Sequence, residues 1–196
     1  MSELTELELP DLPAWQQWLT ERAADSAGVW LVLAKKGTTS PTALTYDEAL
    51  EAALCHGWID GQVARRDEAT FSRRCTPRRR GSVWSKRNTL LVARLIAEGR
   101  MRQSGLATVE RAKADGTWDA AYGGGANTEL PDDLVAALGK TPSARKAFEN
   151  LDASNRYAVL YRITTARRPE ARAQQIEKLV TMLARGETLH PLRKKK

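Results

Sequence analysis

The sequence predicts an α+β protein: a small antiparallel sheet packed with helices, followed by an all-helical C-terminal part. Three observations predict it. The segments of strand composition, Gly28–Ala34, Trp58–Arg66 and Thr70–Thr76, all lie in the first half of the chain. Beyond Pro131 the apolar residues recur at helical spacing in every segment. Between the two patterns stands Gly123-Gly124-Gly125, which continues neither. The expected organisation is an α+β domain over 1–122, a Gly-rich linker over 123–130 and a helical domain over 131–192.

Taken in order, Glu6-Leu7-Glu8-Leu9 alternates as a short strand does, and Pro10-Asp11-Leu12-Pro13 opens a helix with Leu12, Trp15, Leu19 and Ala23 on one stripe. Gly28–Ala34 is rich in β-formers and ends at Lys35-Lys36-Gly37. Thr45-Tyr46-Asp47-Glu48 has the form of a capping box, so a helix starts there and buries Leu50, Ala53 and Leu54. Gly57 ends it, being the residue that turns left-handed at no steric cost. Trp58–Arg66 and Thr70–Thr76 form a hairpin turning at Asp67-Glu68-Ala69. Strict alternation puts Ile59, Gly61 and Val63 on one face and Trp58, Asp60, Gln62 and Ala64 on the other. Pro77 ends the second strand, because it has no amide to donate.

Ser85 is placed to cap a helix whose stripe runs through Leu91 and Leu95, with Trp84 one turn earlier, and Gly99 stops it. A further helix covers Leu106–Lys113. In the C-terminal part, helices are expected over Asp132–Leu138, Ser143–Leu151, Ser154–Arg167 and Glu170–Arg185, with Pro131, Pro142 and Pro169 at starts. Their expected core is Ala147, Phe148, Leu151, Tyr157, Leu160, Tyr161, Ile176, Leu179, Val180 and Leu183.

Composition narrows the function classes. A 42% apolar and 28% charged chain can build a globular core, and no apolar run reaches the roughly 18 residues of a membrane span. The acidic start, Met1–Glu6, lacks the features of a secretory signal, so a cytoplasmic location with reduced thiols is expected. The net charge of +7 is concentrated: between Gln62 and Arg102 there are twelve Lys and Arg residues against three Asp and Glu. Such a segment attracts anions, and Lys194-Lys195-Lys196 adds a basic tail.

The richest stretch is Cys55–Asn88, which holds both cysteines, one histidine, two tryptophans and the densest arginine run. Three chemistries are weighed there. Cys55, His56 and Asp60 suggest a nucleophile, base and orienter, but adjacent helical residues point about 100° apart, which opposes a direct thiol–imidazole pair. Cys55 and Cys75 would make a redox pair only in an oxidising setting. Two cysteines and two distant histidines lack metal-ligand spacing, so no metal and no cofactor is expected.

The third chemistry is anion binding. Arg73, Arg74, Arg78, Arg79, Arg80, Lys86 and Arg87 supply cations, and Gly81-Ser82 with the helix start at Ser85 offers amides beside them. Asp60 lies across the hairpin from roughly Arg74 to Thr76 and is expected to pair with Arg74. Trp58 and Trp84 are candidate stacking surfaces for a ring. Walker and dinucleotide fingerprints are absent, and a nucleic-acid partner rests on charge alone.

Several blocks resemble the bacterial YdeI/OmpD-associated family, also called bacteriocin-protection proteins. They are Cys55-His56-Gly57-Trp58-Ile59-Asp60-Gly61, Arg74-Cys75-Thr76-Pro77-Arg78, Ser82–Asn88, Gly99-Arg100-Met101, Asn155-Arg156-Tyr157 and Ala166–Arg172. Cys75 departs from the family's usual phenylalanine and Ala171 from its usual threonine. The resemblance implies a role in envelope stress or protection from antimicrobial peptides, with no assigned catalytic residues.

The leading expectation is a non-enzymatic, stress-associated binding protein with a basic groove for an anionic small molecule or polyanion. Its candidate ligand residues are Trp58, Asp60, Arg73, Arg74, Arg78, Trp84, Ser85, Lys86, Arg87 and Asn88. The alternatives are an enzyme built around Cys55, His56, Asp60 and Arg74, and a protein-interaction module in the helical part whose partner the sequence does not name.

Overall fold

The computed structural model describes residues 4–123, 130–166 and 168–191. Its residues cluster into two units, Met1–Ser82 with Asn88–Asp119, and Val83–Arg87 with Ala120–Lys196. Most of the expected linker, 124–129, lies outside the described residues, as does the tail 194–196.

The first unit carries a four-stranded sheet in the order β1-β2-β4-β3, with β1 Glu6–Leu7, β2 Val29–Ala34, β3 Trp58–Arg65 and β4 Thr70–Pro77. The central pairings are antiparallel as expected, while the two-residue β1 runs parallel to β2 at one edge. At the hairpin turn the Asp67 carboxylate accepts from the Ala69 and Thr70 amides at 2.8 and 2.6 Å. The Thr70 hydroxyl, which donates to the same carboxylate at 2.7 Å, does most to hold its pKa below the ordinary carboxylate value, and the two amides add to it.

Helix α1, Leu12–Arg22, begins where Asp11 accepts from the Ala14 amide at 3.0 Å and Pro13 occupies the first turn. Helix α2, Tyr46–Cys55, begins at the capping box: the Glu48 carboxylate accepts from the Thr45 amide at 3.0 Å and from its hydroxyl at 2.6 Å. Both helices cover one face of the sheet. Trp15, Leu19, Ala49, Ala52 and Ala53 pack with Val29, Leu31, Leu33, Trp58 and Cys75. The Trp15 indole N–H donates to the Ala49 carbonyl at 3.1 Å, which ties α1 to α2.

Gly57 follows α2 with φ +77°, the left-handed turn that sends the chain into β3. Helix α3, Lys86–Ala97, buries Asn88, Val92 and Leu95, so the inward stripe passes through Val92 rather than Leu91. Helix α4 is longer than expected, Gln103–Ala114.

Alternation along β3 does not hold. The register shifts between Asp60, opposite Cys75, and Val63, opposite Arg73. The bulge brings Val63 to the face of Trp58 and Asp60, where strict alternation would have put it on the other.

The second unit contains α5 Asp132–Gly139, α6 Pro142–Glu149, α7 Ala153–Thr164 and α8 Pro169–Ala184. Its core joins Leu134, Leu138, Ala144, Phe148, Val159, Leu160, Ile163, Ile176, Leu179, Val180 and Leu183. Two expected core residues are corrected: Tyr157 and Tyr161 each remain 37% exposed. The buried stripe of α7 passes through Asn155, Val159 and Ile163, and each tyrosine stands two residues, about 200°, from Val159.

Candidate functional site

Asp60 and Arg73 share one sheet face because Asp60 sits opposite Cys75 and Arg73 is two residues along from it. Arg73 therefore pairs with Asp60 through Nε at 2.9 Å and through a second, shorter contact from its terminal nitrogen. The Tyr46 hydroxyl donates to the same carboxylate at 2.9 Å, and the Arg73 guanidinium lies 4.7 Å from the Tyr46 ring centre. This corrects the expected Asp60–Arg74 pair: Arg74 belongs to the opposite face, where its strand partner is Trp30. Burial lowers the Arg73 pKa, but the Asp60 hydrogen bond and charge outweigh it, and the net shift is upward.

The other candidate residues are distributed as follows. Trp58 is buried in an indole cluster, edge-on to Trp15 and Trp18 at 6.4 and 5.6 Å. Arg78 is 7% exposed and its backbone amide donates to the Gly57 carbonyl at 3.0 Å. Asn88 is buried at the start of α3. These belong to the first unit, whereas Trp84, Ser85, Lys86 and Arg87 belong to the second. There Trp84 is buried, Ser85 bridges Tyr122, and Lys86 and Arg87 are exposed.

Neither cysteine has the environment of an activated nucleophile. Both are free and buried. Burial pushes the Cys75 pKa up to about 12, with the Asp60 charge adding to it and Arg73 opposing it. Burial also raises Cys55, against the lowering effect of the Arg100 charge. Among the described residues Asp60 bonds to Tyr46 and Arg73, and it makes no hydrogen bond to His56. Among the described residues no group of three His, Cys, Asp or Glu side chains is placed to hold a metal.

A cavity of about 240 Å³ lies at the C-terminal end of α2, lined by Gln16, Ala52, Cys55, His56, Gly99, Arg100, Met101 and Arg102. Close packing shapes it. The Arg102 amide donates to the Cys55 carbonyl at 3.0 Å, and Gly105 brings α4 so near that an added Cβ would stand 2.2 Å from that carbonyl oxygen. Arg100 donates to Glu51 at 2.8 Å and to Glu98 at 3.0 Å, in a network completed by Arg94. Arg102 has no carboxylate within ion-pair distance among the described residues. Burial lowers the His56 pKa, and the Arg102 charge lowers it further, so the imidazole is neutral at pH 7. The arrangement is a small polar hollow with two guanidinium groups, a neutral imidazole and a neutral thiol.

In the sequence Cys55 and His56 stand out for catalytic or redox chemistry, whereas Gln16, Arg100 and Arg102 are not among the expected ligand residues. The available signal was Gly99-Arg100-Met101-Arg102, a basic turn between two helices. A second hollow, about 540 Å³, runs along α8 in the second unit over Ala137, Ala173, Ile176 and Val180. At its margin Arg172 pairs with Asp133 at 2.5 and 2.9 Å and donates to the Ile163 carbonyl at 2.8 Å.

Two family models match the chain. Residues 7–108 match a domain of unknown function (DUF8412), and residues 127–186 match the family described as "Bacteriocin-protection, YdeI or OmpD-Associated". The cavity and the Asp60–Arg73 pair fall in the first region. The blocks Asn155-Arg156-Tyr157 and Ala166–Arg172 fall in the second. No curated protein and no solved structure matches the chain. The chain thus belongs to the DUF8412 family, and its residues 127–186 match the YdeI or OmpD-associated, bacteriocin-protection model.

Proposed function

We propose that the protein is a non-enzymatic binding protein for a small anion, taken into the cavity beside His56. The observation that carries this reading is Arg102, which lines a hollow of about 240 Å³ and has no carboxylate within ion-pair distance among the described residues. Three arginines, Arg94, Arg100 and Arg102, stand against two carboxylates, Glu51 and Glu98, so the local balance is positive. Arginine binds carboxylate or phosphate through its planar fork, and in a recessed site that contact is less screened than on an open surface. Arg74, Arg79 and Arg80 in the same unit add a longer-range attractive field. The reading puts this binding in the cytoplasm and in the service of protection against bacteriocins, the setting named in the family description.

The test is calorimetric titration at low salt with inorganic phosphate, sulfate and short mono- and dicarboxylates, on the wild type and on Arg102→Ala. At least one anion is expected to bind. The variant is expected to lose about tenfold or more in affinity, since a charge-assisted hydrogen bond contributes roughly 1.5–3 kcal/mol. Equal affinity of the two proteins would remove the cavity from the reading. The enzyme alternative would be favoured instead by alkylation of Cys55 at neutral pH faster than that of a free thiol.

A further inference from the structure

The two tryptophans expected to offer stacking surfaces, Trp58 and Trp84, are buried. The exposed aromatic surface is made of tyrosine and lies in the second unit. Tyr157 and Tyr161 stand one turn apart on α7, with ring centres 5.8 Å apart and planes 27° from parallel. Tyr122 closes against both, 5.8 Å from Tyr157 and 5.2 Å, edge-on, from Tyr161. The Tyr157 hydroxyl donates to that of Tyr122 at 3.0 Å, which fixes two of the rings before any ligand arrives. Exposed clusters of large apolar groups mark interaction sites more often than singly scattered ones do.

The charge around the rings selects the occupant. Tyr122 is paired through its backbone with the segment Trp84–Lys86: its amide donates to the Trp84 carbonyl at 3.0 Å, and its carbonyl accepts from the Lys86 amide at 2.8 Å. The exposed side chains of Lys86 and Arg87 therefore start beside it, and the exposed Arg162 follows Tyr161. The basic residues on the flanking segments favour an anionic over a cationic ligand, the kind a bare aromatic cage would take. A ligand that joins a flat ring to phosphate satisfies both features.

We propose that Tyr122, Tyr157 and Tyr161 form a stacking platform for a nucleotide base, with Lys86, Arg87 and Arg162 attracting its phosphates. The platform is independent of the cavity beside His56.

The experiment is fluorescence anisotropy of a fluorescein-labelled oligodeoxythymidine with the full chain at low salt, followed by competition with AMP. Tyr161→Ala and Tyr161→Leu should each weaken binding by roughly 5- to 100-fold, the loss of one stacking partner. Tyr161→Phe, which keeps the ring, should bind within about twofold of wild type, and added salt should weaken binding. The leucine variant keeps an apolar residue on α7 and guards against loss of folding, checked by circular dichroism. Competition by AMP would assign the platform to a free nucleotide; binding without such competition would assign it to a single strand. Three results would overturn the proposal: no binding of either probe, retention by the alanine and leucine variants, or a phenylalanine variant as weak as alanine.

Discussion

Replacing Gly105 by alanine sets helix propensity against packing, and the two forecast opposite signs. Gly105 lies in the first turn of α4. Taken from propensity alone, Gly→Ala within a helix stabilises by about 1 kcal/mol. The structure puts the new Cβ 2.2 Å from the Cys55 carbonyl oxygen, 2.8 Å from its carbon and 2.9 Å from the Met101 methyl. The methyl can swing away, but the carbonyl belongs to the last turn of α2 and cannot. Helix α4 has to retreat by about 1 Å to restore an ordinary contact, which strains the overpacked seam by about 1–3 kcal/mol. The same retreat stretches the 3.0 Å hydrogen bond from the Arg102 amide to Cys55, worth about another 1 kcal/mol. Less the propensity gain, the net is a destabilisation on the order of 1–3 kcal/mol. Urea denaturation followed by tryptophan fluorescence measures it, because Trp15, Trp18 and Trp58 report on the first unit. An alanine variant as stable as wild type, or more so, would refute the claim that this contact sets the position of α4. It would also undercut the shape assigned to the cavity.

Three further outcomes are expected. Asp60→Ala leaves the half-buried Arg73 without its carboxylate and should cost roughly 2–3 kcal/mol, whereas Arg74→Ala should cost under about 1 kcal/mol; parallel denaturation curves decide, and equal losses would contradict the pairing. The Cys75 pKa is raised from 9.0 to about 12 in the folded protein, so the proton-bound thiol contributes stability that is present below pH 9 and lost as pH climbs from 9 towards 12. Unfolding midpoints at pH 8, 9 and 10 should fall in wild type and fall less in Cys75→Ala. The His56 pKa is depressed below 6.5, so the imidazole gains its charge only as pH drops beneath that value; anion affinity at the cavity should rise there, and His56→Asn should flatten the profile measured by calorimetry.

Much of the fold was legible because local rules governed it. Thr45 and Glu48 cap α2, Gly57 turns out of it, Asp67 closes the hairpin and Pro13 opens α1, each through contacts within four residues. Where a residue's partner depended on the register of a neighbouring strand, the reading slipped. Asp60 was handed to Arg74 rather than Arg73, because being one residue off in register exchanges the faces of a strand. The bulge before Val63 left no mark in the sequence that alternation would detect. The cavity was less legible still, since Gln16, His56 and Arg102 come from three separate elements.

The sequence by itself determined the α+β class, the placing of the hairpin, the basic character of its flank and the YdeI/OmpD-associated resemblance of the C-terminal part, whereas the N-terminal blocks fall in the DUF8412 match. These follow from propensity, spacing and composition, which act over a few residues. Only the tertiary structure decided which charges are neutralised and which aromatics are exposed. Arg73 is paired with Asp60 while Arg102 has no carboxylate within ion-pair distance among the described residues, and Trp58 is buried while Tyr157 and Tyr161 face outward. A side chain's charge and ring are written in the sequence, but whether they meet a partner depends on what is folded against them.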